Sequence, residues 1–96
     1  NPEELIAAAH AACFSMALSA QLGEAKLTPE SISTGATLTM EKLPTGWTIT
    51  AVHLDVTGKV PGATPEAFNT AAQNAKAGCP VSKVLNAKIT MDAKLG

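Results

Sequence analysis

Leu5-Ile6-Ala7-Ala8-Ala9-His10-Ala11-Ala12-Cys13-Phe14-Ser15-Met16-Ala17-Leu18-Ser19-Ala20-Gln21-Leu22-Gly23 is the longest stretch of this chain without a charged side chain, and its reading decides the fold. Asn1-Pro2-Glu3-Glu4, just ahead of it, is a helix start. Asn caps the first turn, Pro occupies the first helical position, and two carboxylates face the positive end of the helix dipole. The pattern predicts a helix to about Leu22, with Gly23 as its stop. Apolar and small residues lie all round this helix, so it is expected to be buried on several sides. A bilayer span takes about 20 strongly apolar residues, and His10, Ser15, Ser19 and Gln21 weaken this run. A buried helix and no membrane partner are the expectation. No secretory n-region or cleavage site precedes the helix. The chain opens on Asn1, already inside a helix start, so an N-terminal stretch is expected to lie outside these residues.

Beyond Thr28-Pro29-Glu30, a turn, Ile32, Ala36, Leu38 and Met40 alternate with Ser33, Thr37, Thr39 and Glu41, as in a half-buried strand. Leu43-Pro44-Thr45-Gly46 reads as a connecting turn. A second strand should run from Trp47 to about Lys59, with Trp47, Ile49 and Ala51 and then Val52, Leu54 and Val56 facing inward. The slip in phase between Ala51 and Val52 predicts a β-bulge. Thr64-Pro65-Glu66 repeats the cap, proline and acid signature and opens a helix that Gly78 ends. Cys79-Pro80 starts a short helix to about Leu85, and the alternation from Ala87 to Leu95 predicts a last strand. Helix, hairpin, two helices and strand make an α+β domain, a long helix packed on antiparallel strands.

Ninety-six residues suit one small domain spanning residues 1–96. A chain of this size buries only about 60–65% of its unfolded surface, so part of its stability is expected to come from a partner chain. The formal charge is −1, 46% of residues are apolar, and the aromatic residues are Trp47, Phe14 and Phe68. Nucleic-acid binding loses both its usual supports, clustered cations for phosphate and aromatic faces for bases. All seven basic residues are Lys.

Two cysteines carry the chemistry. Cys79 sits at a helix start, where unpaired N–H groups favour a thiolate. Cys13 sits mid-helix, where burial raises its pKa, so a reactive Cys13 needs a cationic or hydrogen-bonding partner. His10, one turn earlier, lies on the same face. Residue types leave three readings open: two inert core thiols, a structural disulfide, or a redox-active pair.

Asn1-Pro2-Glu3-Glu4-Leu5 with Ala8-Ala9-His10-Ala11-Ala12-Cys13-Phe14-Ser15-Met16-Ala17-Leu18, and Ala75-Lys76-Ala77-Gly78-Cys79-Pro80-Val81-Ser82-Lys83-Val84-Leu85, resemble the two cysteine motifs of the OsmC/Ohr family, the osmotically inducible and organic hydroperoxide resistance proteins. The OsmC branch is the nearer likeness. The resemblance covers essentially the whole chain, as the C-terminal two-thirds of the family domain. It implies an OsmC-like fold in an intertwined homodimer, and a cytoplasmic, cofactor-free thiol peroxidase for organic hydroperoxides, active in oxidative or osmotic stress. Cys13 matches the peroxidatic cysteine, Cys79 the resolving one, and Glu3 the acid that positions an active-site Arg. That Arg comes from an N-terminal β-region that precedes the first motif and is not among these residues. The resemblance further implies a Cys13–Cys79 disulfide, reset by a dithiol reductant such as a lipoyl or thioredoxin-like protein. Phe14, Met16 and Val81, with Leu18 and Val84, are expected to line an apolar substrate pocket. A straight helix puts Glu3 about 15 Å from Cys13 along its axis, so a partner chain's Glu3 is the one expected near Cys13.

Three other readings compete. His10, Cys13, His53 and Cys79 match a zinc site in number but lack the paired spacing of zinc modules; His53 is expected at the surface and His10 as a buried, hydrogen-bonded residue. A Cys13–His10 hydrolase lacks a group to orient the base. A non-catalytic binding or structural protein of the same fold is the last. Lys76 and Lys83 flank Cys79 and read as helix-surface lysines.

Overall fold

The computed structural model describes residues Asn1–Gly96. The elements run α1 (Pro2–Glu24), β1 (Ser31–Leu43), β2 (Gly46–Lys59), α2 (Pro65–Gly78), α3 (Pro80–Val84) and β3 (Lys88–Leu95). The Asn1 side chain accepts from the Glu4 N–H, and the Thr64 side chain from the Ala67 N–H. Both predicted caps therefore close, satisfying donors that have no partner within the helix.

The helix stop differs from the expectation. Gly23 stays helical, and Lys26 takes the left-handed conformation at φ 62°. Lys26 N–H donates to the Gly23 carbonyl and Leu27 N–H to the Leu22 carbonyl, the paired bonds of a Schellman ending. A glycine two positions before the stop made Gly23 the obvious reading, yet a lysine occupies the position that favours glycine.

β1 and β2 pair antiparallel through the two-residue Pro44-Thr45 turn, with Gly46 at φ 124°, where a Cβ would be strained. The expected bulge is present, one residue earlier than predicted: Thr39 pairs with Ala51 and Met40 with Ile49, leaving Thr50 as the extra residue. β3 corrects the expectation of a purely antiparallel sheet. It pairs parallel to β2, giving the order β1-β2-β3. α2 and α3 carry the chain back to the starting end of β2 before β3 begins, and a crossover of that length produces a parallel neighbour.

Val52, Leu54 and Val56 on one face of β2 meet Phe14, Leu18 and Leu22 of α1 and Phe68, Ala71, Ala72 and Ala75 of α2. Fourteen of 96 residues are buried, so the core is thin. α1 is not enclosed all round within one chain: its buried residues are the stripe His10, Phe14, Leu18 and Leu22, at four-residue spacing. By length and composition α1 is apolar enough for a membrane span, with mean hydropathy 1.5 over an 18-residue window, stronger than its polar interruptions led us to expect. Here its buried stripe serves as one side of the core. Trp47 is 69% exposed, not inward. The molecule measures 49 × 19 × 17 Å, and Trp47 lies at the hairpin tip, beyond the end of the core.

Candidate active site

The buried stripe of α1 fixes where its sulfur lies. Cys13 precedes Phe14 and follows His10 by one turn, at the edge of the core-facing side, and is half-buried. Cys79 is held by a break between helices. The residue before a proline is driven out of the helical region, and Cys79, before Pro80, adopts φ −59°, ψ 123°. Its own N–H still donates to the Ala75 carbonyl, and its carbonyl accepts from the Lys83 N–H. Both neighbouring helices thus pin the backbone while the side chain turns into the core, fully buried. The result is Cys79 Sγ 2.9 Å from Cys13 Sγ, with both cysteines free thiols.

The two sulfurs divide the ionisation unequally. Burial pushes the Cys13 thiol above its ordinary pKa, and its hydrogen bond to Cys79 pushes the same way; the Val81 N–H opposes them only in part. Burial also works against the Cys79 thiolate. The nearby Cys13 thiol, the Ser82 backbone and hydroxyl and the Val81 backbone favour the charged form and outweigh burial, so Cys79 lies below its ordinary value. Cys79 is therefore the sulfur that carries charge first, as its position at a helix start led us to expect, and no cation of this chain acts on Cys13.

His10 is buried and hydrogen-bonded, as expected, but not to Cys13. Its Nε2 lies 2.7 Å from Ser82 Oγ. Its Nδ1 is buried without a partner, and burial lowers its pKa. Ser82 was not singled out in the sequence; its signal is its place one turn after Cys79 at the start of α3.

Glu3 lies in a separate cleft with Ala7 and Ala36–Leu38, consistent with its distance from Cys13 along α1. The expected pocket residues do not converge within one chain. Phe14 and Leu18 are enclosed in the core because they share the buried stripe, Met16 projects from the other side at 75% exposure, and Val81 is half-buried beside the sulfurs. The largest cleft, about 540 Å³, lies between the end of α1 and α2, lined by Gln21, Glu24 and Glu66 among others, and contains neither cysteine.

The four nitrogen and sulfur candidates for a metal do not assemble. His53 is on the face of β2 opposite Val52 and Leu54, the outward face expected, and its side chain is partly exposed. Its Nδ1 lies 2.7 Å from Thr90 Oγ1, and its Nε2 3.3 and 3.2 Å from Asp55 and Asp92 carboxylate oxygens.

The OsmC-like protein family profile matches residues 1–94. This chain belongs to the OsmC-like family. The OsmC-like chain is 56% identical over 95 residues to "Peroxiredoxin OsmC" of Escherichia coli, and equally to that of Shigella flexneri, covering 99% of this chain and 66% of each relative's length. Among solved structures, the organic hydroperoxide resistance protein OhrB of Bacillus subtilis superposes with a TM-score of 0.82 at 27% identity, over 97% of this chain and 69% of that one. An OsmC-like protein of unknown function from Vibrio cholerae reaches 0.86 at 19% identity, over 96% of this chain and 62% of that one, which supports the OsmC-like fold alone.

Proposed function

We propose that this OsmC-like chain carries the cysteine pair of a peroxiredoxin-type enzyme that reduces organic hydroperoxides. The observation that carries the reading is the 2.9 Å separation of Cys13 and Cys79 sulfurs. In the first step the Cys13 thiolate attacks the distal peroxide oxygen. The O–O bond breaks, the departing alkoxide takes a proton and leaves as an alcohol, and Cys13 becomes a sulfenic acid. Cys79 then attacks the Cys13 sulfur. The S–S bond forms, the S–O bond breaks, and the oxygen leaves as water. A dithiol reductant, a lipoyl or thioredoxin-like protein, exchanges with the disulfide and restores both thiols.

Cys13 is the half-exposed sulfur and meets the substrate, yet burial holds its thiol protonated. The resemblance supplies the remedy: an Arg from outside these residues, placed by Glu3 of a partner copy. An intertwined homodimer is part of the proposal. It is supported by the thin core and by Leu5, Met16 and Val84, each more than two-thirds exposed. Met16, Val81 and Val84 would then meet the partner to wall an apolar site for the organic group. A cytoplasmic setting, which keeps thiols reduced, suits the two free cysteines.

Intact mass and thiol counting on the full protein after one equivalent of cumene hydroperoxide test the reading. Loss of two hydrogens and of both thiols is expected. Two reduced thiols beside unconsumed hydroperoxide would reject the peroxidase in favour of a non-catalytic role.

A further inference from the structure

We propose that the His10–Ser82 hydrogen bond is a clamp between α1 and α3 that holds the Cys79 sulfur against the Cys13 sulfur while both are thiols. His10 and Ser82 are positioning residues, acting through where the sulfurs lie. The proposal rests on the peroxidase reading for its purpose, but not for its geometry.

Two contacts join the helices side by side. His10 Nε2 lies 2.7 Å from Ser82 Oγ, and Cys79 Sγ lies 2.9 Å from Cys13 Sγ. His10 precedes Cys13 by three residues on α1, so the two share a face. Ser82 follows Cys79 by three residues across the start of α3. Each end of the clamp therefore stands one turn from a sulfur, and the clamp fixes the separation of the pair.

α3 needs such a tie. It has five residues, none of them buried, and its Val84 is 78% exposed. A helix this short does not hold its place without packing. On the other side of the clamp, His10 is fully buried and continues the core-facing stripe of Phe14, Leu18 and Leu22. An apolar side chain would extend that stripe without penalty. The imidazole instead leaves its Nδ1 buried without a partner, a defect that costs about 1–3 kcal/mol. Its Nε2 is left to reach α3, and burial keeps the ring neutral, so no charge enters the core with it. A polar group that breaks the core pattern marks a position held for something other than packing.

The clamp acts through effective concentration. While both thiols are free, non-covalent contacts alone seat α3 on α1. Once the S–S bond forms, that bond seats it. Losing the clamp therefore loosens the dithiol form more than the disulfide form, and disulfide formation becomes less favourable. In turnover, the seated Cys79 sulfur attacks the Cys13 sulfenic acid; the S–S bond forms, the S–O bond breaks, and the oxygen leaves as water. The same pairing is reached without peroxide by exchange with glutathione disulfide. Cys13 and Cys79 are oxidised to their disulfide, and the two electrons and two protons pass to glutathione, giving two glutathione thiols.

The test equilibrates the full protein in glutathione buffers of known ratio, quenches it with acid and counts disulfide against dithiol by intact mass. His10→Leu and Ser82→Ala should each lower the equilibrium constant for disulfide formation about fivefold, the effect of one lost hydrogen bond, which is a rise of about 20 mV in the potential. The double variant should be lowered no further than either single variant, because both remove the same bond. Ser82→Ala deletes only a hydroxyl on a half-buried surface helix, so it reads the clamp even where His10→Leu disturbs the core. A parent-like constant in Ser82→Ala overturns the proposal, as do single-variant effects that add in full. A bond with a merely structural role, supporting both redox forms alike, would leave the constant unmoved. The measurement needs no hydroperoxide. A protein that shows these shifts but spares hydroperoxide loses the peroxidase reading and keeps the clamp, whereas one that consumes hydroperoxide with unshifted constants loses the clamp alone.

Discussion

The sulfurs of Cys13 and Cys79 stand 2.9 Å apart although 66 residues separate them along the chain. Closing that loop covalently removes conformations from the unfolded chain. For a loop of this length the chain-entropy estimate is about 4 kcal/mol. Mild oxidation should therefore raise the urea midpoint of the parent protein strongly and leave Cys79→Ser unchanged. Equal midpoints for the oxidised and reduced parent would mean that strain in the bonded form offsets the entropic gain.

The His10 ring adds an acid sensitivity. In the unfolded chain it takes up a proton near pH 6.5. In the folded chain burial holds its pKa lower. Below about pH 6.5 the unfolded state binds more protons, so stability falls with pH until the folded ring also titrates, by at most about 1.4 kcal/mol per pH unit. His10→Gln removes this contribution. Its urea midpoint should fall less than the parent's between pH 7 and pH 5. Parallel declines would show that His10 does not drive the acid loss.

Much of this architecture was legible in local pattern. The caps at Asn1 and Thr64, the alternation of Ile32 to Leu38, and the phase slip beside Ala51 each have a single structural meaning. The two cysteine motifs were equally plain, and their likeness to a known family singled out Cys13 and Cys79, whose sulfurs the fold brings together, before any geometry. What local pattern could not carry was direction. β3 alternates as either a parallel or an antiparallel strand would, because alternation records the two faces of a strand and not its sense. Trp47 continues the inward phase of β2, but phase does not say where the covering helices end. α1 is apolar on every side, so its sequence did not reveal that one chain covers only the His10–Leu22 stripe. The His10–Ser82 contact spans 72 positions, with no periodicity to announce it.

Gly58 and Phe68 make a close pair. A Cβ added at Gly58 would sit 2.5 Å from Phe68 Cε1 and 2.8 Å from Cζ. Phe68 is buried and cannot swing into solvent. Gly58→Ala should cost about 1–3 kcal/mol, the usual range for overpacking. Shortening the opposing side chain relieves the clash, so Gly58→Ala with Phe68→Leu should lose less stability than the two single variants added together. Strict additivity in denaturant melts would show that the ring moves aside without cost.

Lys26 offers the reverse case, a position where the native residue is the strained one. It ends α1 at φ 62°, a conformation that crowds the Cβ of any L-residue and that glycine adopts freely. The Schellman bonds use only backbone groups of Leu22, Gly23, Lys26 and Leu27, so removing the lysine side chain leaves them intact. Relief of the Cβ crowding exceeds the extra freedom glycine gives the unfolded chain. Lys26→Gly should therefore stabilise the protein by up to about 1 kcal/mol, whereas Lys26→Ala, which keeps the Cβ, should change little. Thermal melts of the three proteins decide it: a Lys26→Gly midpoint at or below that of Lys26→Ala would mean that the helix ending carries no strain.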